Sequence, residues 1–396
     1  MTRVGAILAV NAGSSSLKFG LFAAEAGLAT LVRGEISDLD SAPRLLAHDD
    51  AGRQIADRRL SAQGERVFAD ALTAVISLID ELPRQSGLRA VGHRIVHGGA
   101  DHIAPERVTP AVVAALQDLI PLDPIHLPHN LAPIAAIAST RPTLDQFVCF
   151  DTAFHHTLPL EARQFALPRA IFDAGVRRYG FHGLSYEYIS NRLASAHPQL
   201  ARGRVIVAHL GAGASLCALD EGISVATTFG FSVLDGLMMA TRCGSLDPGV
   251  IFYLARQGQS LTEIEDMLYH RSGLLGVSGI SGDMQLLLAS QAPEAREAID
   301  LFTYRIAIET GAMVAALAGV DAIVFTAGIG QHAPKIRKSV CDRLGWLGVQ
   351  LDTDANQRNE GCISTNASKI DVLVMATDEE AMIARHVFEM MGKLSA

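Results

Sequence analysis

Apolar runs that stop abruptly on small or polar residues set the pattern of this chain. Val4-Gly5-Ala6-Ile7-Leu8-Ala9-Val10 is continuous enough for a buried strand, and it ends on Asn11-Ala12-Gly13-Ser14-Ser15-Ser16. Alternation then resumes, with Leu17, Phe19 and Leu21 facing one way and Lys18 and Gly20 the other. The two runs predict a β-hairpin whose tip carries a glycine, three hydroxyls, an amide and a cation. Small residues let backbone N–H groups approach an anion, and hydroxyls and a lysine add donors. The chain has neither GxxxxGK[ST] nor a GxGxxG after a strand, so this is phosphate-type chemistry without either motif.

Four later apolar runs end the same way. Gln146 to Phe150 runs into Asp151, and Val205 to Leu210 into Gly211-Ala212-Gly213-Ala214-Ser215. Ala322 to Phe325 runs into Thr326-Ala327-Gly328-Ile329-Gly330, and Ile370 to Met375 into Thr377-Asp378-Glu379-Glu380. Ligands of α/β sheets collect beyond the carboxyl ends of strands, so five such junctions predict one cleft lined by turns. Ala12-Gly13-Ser14-Ser15-Ser16-Leu17 is also echoed by Ala212-Gly213-Ala214-Ser215-Leu216. Chance produces such an echo, and so do duplicated half-domains.

The intervening sequence is less sharply patterned. Residues 27–62 predict meandering strands and loops, Ala71 to Ile79 a helix ending near Pro83, and Pro110 to Ile120 another helix. Ala90 to Gly99 is a short apolar segment carrying His93, Arg94 and His97. Arg94 is either a buried ion-pair partner or a fixed clamp for a carboxylate, to which a guanidinium's planar fork is suited. Pro121 to Asn130 predicts a proline-locked loop presenting His126 and His129 as a pocket wall; no third ligand has metal-like spacing. Ile299, Phe302, Ile306 and Met313 predict the apolar face of a long helix with Pro293 near its start.

Composition narrows the class. A chain of 396 residues with 49% hydrophobic content builds a large core, most simply in two domains. A net charge of −9 argues against nucleic acid as a partner. Cys149, Cys217, Cys243, Cys341 and Cys362 are odd in number and form no CxxC pair, which points to a reducing compartment and no structural zinc. The first apolar run is short and flows into the turn, unlike a signal peptide. Gly311 to Phe325 is interrupted by Asp321, unlike a membrane span. A cytoplasmic, soluble protein without membrane contact is expected.

The motifs together resemble the acetate kinase family. The segments that carry the resemblance are Val10 to Lys18, Gly92 to Gly99, Phe150 to His155, Arg178 to Ser185, Ala240 to Pro248, Ser281 to Met284, Phe325 to Gly330 and Thr377 to Glu380. They run nearly end to end in family order. The resemblance implies an α/β fold of two duplicated actin-like ATPase (ribonuclease H-like) domains with a nucleotide cleft between them. The expected divisions are 1–150 (substrate side), 151–380 (nucleotide side) and a C-terminal helix over 381–396 that packs back on the first domain. It implies a homodimer that converts ATP and acetate reversibly to ADP and acetyl phosphate with Mg²⁺ or Mn²⁺. Propionate or another short-chain acid is an alternative substrate, and a non-catalytic nucleotide-binding protein an alternative class.

By the same resemblance Asn11 and Glu379 are associated with the metal, and Ser14, Ser16 and Lys18 with phosphate. Arg94 and His126 are assigned to the substrate, and Asp151, His182 and Arg242 to catalysis. Nucleotide contacts fall on His209, Leu210, Gly211, Ala212 and Gly213, on Asp283, Met284 and Gln285, and on Gly328, Ile329, Gly330, Gln331 and His332. The sequence departs from the family pattern at Ala212 (usually Asn), Gln285 (often Arg) and Gln331-His332 (usually Glu-Asn).

Overall fold

The computed structural model describes residues 5–13, 16–39, 41–61, 67–82 and 87–394. The chain divides into two compact units, Met1–Phe154 with Asp378–Ala396, and His155–Thr377.

The first unit is built on eight strands among the described residues. They are β1 (Ala6–Ala12), β2 (Leu17–Ala23), β3 (Thr30–Ser37), β4 (Arg44–Asp49), β5 (Gln54–Arg59), β6 (Leu88–Ile95), β7 (Glu106–Arg107) and β8 (Asp145–Phe150), in the sheet order β5-β4-β3-β2-β1-β6-β8-β7. β1, β2 and β3 form an antiparallel meander, whereas β6 and β8 run parallel to β1. The hairpin closes with Asn11 opposite Lys18, and the Gly13 N–H donates to the Ser16 carbonyl at 2.8 Å. On one face Leu8, Val10, Leu17, Phe19 and Leu21 pack with Phe68, Leu72 and Val75 of the helix Val67–Asp80.

The other face of β2 is also buried: among its seven residues only Lys18 is exposed. The cause is the helix Glu379–Leu394, which lies over β1, β2 and β6. Gly92 fits there because a side chain would run into Ile383 and Val387. The alternation in β2 therefore separates two covered faces.

One expectation is corrected. His126 and His129 do not share a rigid loop: His126 precedes the helix Leu127–Thr140 and His129 lies inside it. Pro128 stands in the first turn, where a missing N–H removes no intrahelical bond.

The second unit holds β9 (Arg204–Leu210), β10 (Ala214–Asp220), β11 (Ile223–Thr227), β12 (Ala322–Thr326) and β13 (Asp371–Val374), ordered β11-β10-β9-β12-β13. Again the first three strands form an antiparallel meander and the last two run parallel to the first. This repeats the β3-β2-β1-β6-β8 core of the first unit. The echoed sequences sit at equivalent places, the tips of β1–β2 and β9–β10. The helix Pro293–Leu317 buries Phe302, Ile306 and Met313, with Pro293 in its first turn. No described helix is long and apolar enough to cross a membrane.

Candidate active site

Each unit concentrates chemistry at the carboxyl ends of its parallel strands. In the first, Asn11 lies at the end of β1, Arg94 near the end of β6, and Asp151 directly after β8. The last helix begins beside them with Glu379 and Glu380. Arg94 forks Asp151, donating from Nε to Oδ1 at 3.0 Å and from Nη2 to Oδ2 at 2.5 Å. Its Nη1 donates to Asn11 Oδ1 at 3.0 Å, and its Nε lies 3.7 Å from Glu379 Oε2. Asn11 Nδ2 donates to Glu379 Oε2 at 3.0 Å and to Glu380 Oε1 at 3.1 Å. Both readings of Arg94 thus start from an ion pair: three of its five N–H groups are already used.

Electrostatics follow from this crowding. Burial works against the Arg94 charge, but the Asp151 and Glu379 carboxylates outweigh it and hold the guanidinium above its ordinary value. Burial, and then the Glu379 charge, push the Glu380 carboxyl up. Glu380 is a member of this cluster that the motif comparison did not single out. Asn130 is another residue the sequence did not reveal. Buried at 2% exposure, it accepts from the Val96 N–H and donates to the Ala12 carbonyl, both at 2.8 Å, tying the ends of β1 and β6 together. His126 Nδ1 lies 2.8 Å from Asp123 Oδ1. Lys18 is exposed on β2, Ser16 follows the tip, and Ser14 lies outside the described residues.

In the second unit His182 and Arg242 converge on the β9–β10 tip. A methyl group placed on Gly213 would lie 2.9 Å from Arg242 Nη2 and 3.2 Å from His182 Nε2. His182 has φ 59° and caps the helix Gly183–Ala196 in the left-handed region, uncommon for a non-glycine residue. Its ring stacks on His209 with centroids 4.0 Å apart. Arg242 Nη1 donates to the Val233 carbonyl at 2.7 Å.

Next to this tip is a cavity of about 400 Å³ lined by Gly211 and Ala212, Gly282 to Gln285 and Leu288, and Gly328, Ile329, His332 and Ala333. Three loops that the family resemblance associates with nucleotide therefore meet at one pocket. Leu210 and Gly330 are buried beside it and do not line it, and His209, Gly213 and Gln331 are also outside its walls. Asp283 Oδ1 accepts from the Gln285 N–H at 2.8 Å and caps the helix Met284–Ala289.

Arg337 holds one wall in place. It is fully buried and donates to the carbonyls of Gly330 and Gln331 at 2.8 and 2.7 Å. Further bonds reach Asn356 Oδ1, the Asn356 carbonyl and Asn359 Oδ1 at 2.8, 2.7 and 2.6 Å. All five acceptors are uncharged, and burial lowers its pKa to about 10. In sequence it stands in Lys335-Ile336-Arg337-Lys338, indistinguishable from a solvated basic helix face. Arg337→Met is expected to destabilise the protein by about 3–5 kcal/mol, because buried acceptors lose a charged donor. Urea unfolding measures this; a loss below about 1 kcal/mol would show that water replaces the guanidinium.

A model of the acetokinase family matches residues 6–385. The chain belongs to the acetokinase family. An acetate kinase from Rhodopseudomonas palustris (strain TIE-1) is 52% identical over 392 residues, covering 97% of this chain and 98% of the relative. Among solved structures, Porphyromonas gingivalis acetate kinase aligns with TM-score 0.86 at 33% identity, over 98% of this chain and 100% of that one. A propionate kinase from Francisella tularensis aligns with TM-score 0.89 at 33% identity, over 96% and 98%. The acetokinase fold of this chain is thus the two-domain, actin-like ATPase arrangement of α/β units with mixed sheets, as the motifs implied.

Proposed function

We infer that this protein is an acetate kinase, transferring the terminal phosphoryl group of ATP reversibly to acetate to give acetyl phosphate and ADP. The observation that carries this reading is the 52% identity to an acetate kinase over 97% of the chain. The geometry of each unit agrees with it. Acetate is already ionised at neutral pH, so its oxygen attacks without losing a proton and no general base is needed. Asp151, forked by Arg94, serves to hold that guanidinium in place; the remaining N–H groups of Arg94 bind the acetate carboxylate. Charge in the transition state spreads over the equatorial phosphoryl oxygens. His182 Nε2 and Arg242 Nη2, converging over Gly213, donate to those oxygens, and the neighbouring cavity takes the nucleoside.

Mg²⁺ fits the donor chemistry of the first unit. Asp151, Glu379 and Glu380 are hard oxygen donors with Arg94 as the cation at their centre. Mg²⁺ keeps water and substrate phosphate in its shell and takes one or two protein carboxylates, so it needs no dedicated protein cage. Glu379 would hold it, and the ion would neutralise phosphate charge. Asn11 turns its oxygen to Arg94 and its amide to the glutamates, so it orients the carboxylate.

A coupled ADP assay with acetate, propionate and butyrate, each with ATP and GTP, tests the reading. Acetate-dependent ADP release is expected; no release with any of the three acids would sink it. Propionate is the second reading, supported by the TM-score of 0.89 to a propionate kinase. Nucleotide selectivity is expected to be loose. Ala212, Gln285 and His332 line the cavity where the family usually carries other donors, while the backbone N–H of Gly328, in the first turn of the helix Ala327–His332, needs no side chain. GTP should be used with kcat/KM within about tenfold of ATP, a gap of about 1.4 kcal/mol. Ala212→Asn should widen that gap. A wild-type preference above about a hundredfold would show that other residues read the base.

The homodimer is also proposed. Leu246, Val250, Phe252, Tyr253 and Leu261 are exposed on or beside the helices Pro248–Arg256 and Leu261–His270, an apolar face suited to a second copy. Five free cysteines suit the cytoplasm.

A further inference from the structure

The ring of His182 is held by more than its stacking on His209. Its Nδ1 lies 2.9 Å from Ser215 Oγ, leaving Nε2 as the nitrogen over Gly213. Ser215 is fully buried on β10, directly opposite His209 in the ladder. A second hydroxyl, from fully buried Tyr186, lies 2.5 Å from the same Ser215 Oγ. Tyr186 is one helical turn beyond His182, and its N–H donates to the His182 carbonyl at 3.1 Å. Helix, cap and strand thus bring three groups into a line: Tyr186 hydroxyl, Ser215 hydroxyl, His182 Nδ1. Phe229 closes the ring's edge, with centroids 5.1 Å apart at 64°.

We propose that Tyr186 and Ser215 are positioning residues that hold His182 as the neutral Nε2–H tautomer, with that proton aimed over Gly213. The inference rests on the role of His182 in phosphoryl transfer proposed above. A serine hydroxyl has one proton. Ser215 Oγ is hydrogen-bonded to the Tyr186 hydroxyl and His182 Nδ1, so when Tyr186 donates to it the serine proton is satisfied by going to Nδ1, which is then the acceptor. The ring proton is left on Nε2, the nitrogen required to donate to a phosphoryl oxygen. The opposite tautomer would present a lone pair to that oxygen. Which hydrogen bond one ring nitrogen makes decides where the other's proton sits. The stacked pair is built alike: Ser185 Oγ lies 2.8 Å from His209 Nδ1, so both rings have their Nδ1 on a buried serine.

The test uses the full-length protein with ¹⁵N-labelled histidine. Long-range ¹H–¹⁵N spectra report the tautomer of each ring, and His182→Gln identifies the His182 signals. The wild type should show Nε2–H. Ser215→Ala should replace the single tautomer by a mixture and lower kcat about 10- to 100-fold, as for loss of an aligned donor, with acetate KM changing less than about threefold. Tyr186→Phe keeps the ring packing, removes one oxygen and should give a mixture of tautomers with an intermediate kcat. It also serves if Ser215→Ala folds poorly. A wild-type Nδ1–H ring, or a tautomer unchanged in both variants, overturns the proposal. A shifted tautomer with unchanged kcat supports the relay and overturns the role given to His182; His182→Ala would then leave kcat unchanged as well.

Discussion

Arg94→Leu is expected to cost the first unit about 3–5 kcal/mol of stability, the range for removing one partner of a buried ion pair. Asp151 has no exposed surface, and Arg94 forks both of its carboxylate oxygens. Leucine fills part of the volume but leaves a buried carboxylate, with Glu379 and Glu380 losing the same charge. Acetate KM should rise and kcat should fall together, because the side chain that holds Asp151 and Asn11 is also the one proposed to bind the substrate. A pure carboxylate clamp would raise acetate KM alone and leave ATP affinity nearly unchanged. Arg94→Lys should recover only part of either loss, since an ammonium cannot fork a carboxylate. Urea unfolding followed by circular dichroism measures the first effect. A loss below about 1 kcal/mol would place the pair with solvated surface salt bridges.

What was legible in the sequence had a one-dimensional signature. Buried strands are continuous apolar runs, and their ends are marked by small or polar residues, so Asn11, Asp151, Gly211 and Glu379 could be placed at strand ends. The repeated topology was visible only as the echo at Gly13 and Gly213, because topology is conserved in hydrogen-bond pairing, which sequence does not display. β3, β4 and β5 were indistinct because their residues are largely half-exposed and weakly alternating. The Pro121 to Asn130 segment was misread because prolines that lock loops also begin helices. Arg337, Asn130 and the Ser215–Tyr186 pair were invisible for a different reason. Each is a polar residue whose partners come from other elements of its unit, and no spacing along the chain encodes a hydrogen bond across 118 positions such as that from Asn130 to Ala12. Glu380 was hidden by its neighbour: two adjacent glutamates look alike until the helix shows that Asn11 bonds both.

Arg242→Ala should lower kcat by roughly two orders of magnitude or more, about 2.7 kcal/mol of transition-state stabilisation, as for other groups that clamp a transferring phosphoryl. The structural reason is the placement of Nη2 over the Gly213 tip beside His182 Nε2. These two donors face the same space, so neither can substitute for the other around the equatorial oxygens. The fold should survive, because the local scaffold uses the backbone of Arg242: its carbonyl accepts from the Met239 N–H at 3.1 Å, a bond alanine keeps. The Val233 carbonyl loses its donor, but that bond is only part-buried, so water can take its place. Acetate KM should move less than kcat, since the proposed carboxylate site belongs to Arg94. Gly213→Ala attacks the same geometry from the other side. Its methyl would press on Arg242 Nη2 and His182 Nε2 at 2.9 and 3.2 Å, displacing both donors with no charge removed. It should therefore lower kcat in the same direction by a smaller factor. A folded Arg242→Ala enzyme with near-normal kcat would show that this guanidinium is a structural bracket for Val233 and leaves the phosphoryl group to His182 alone.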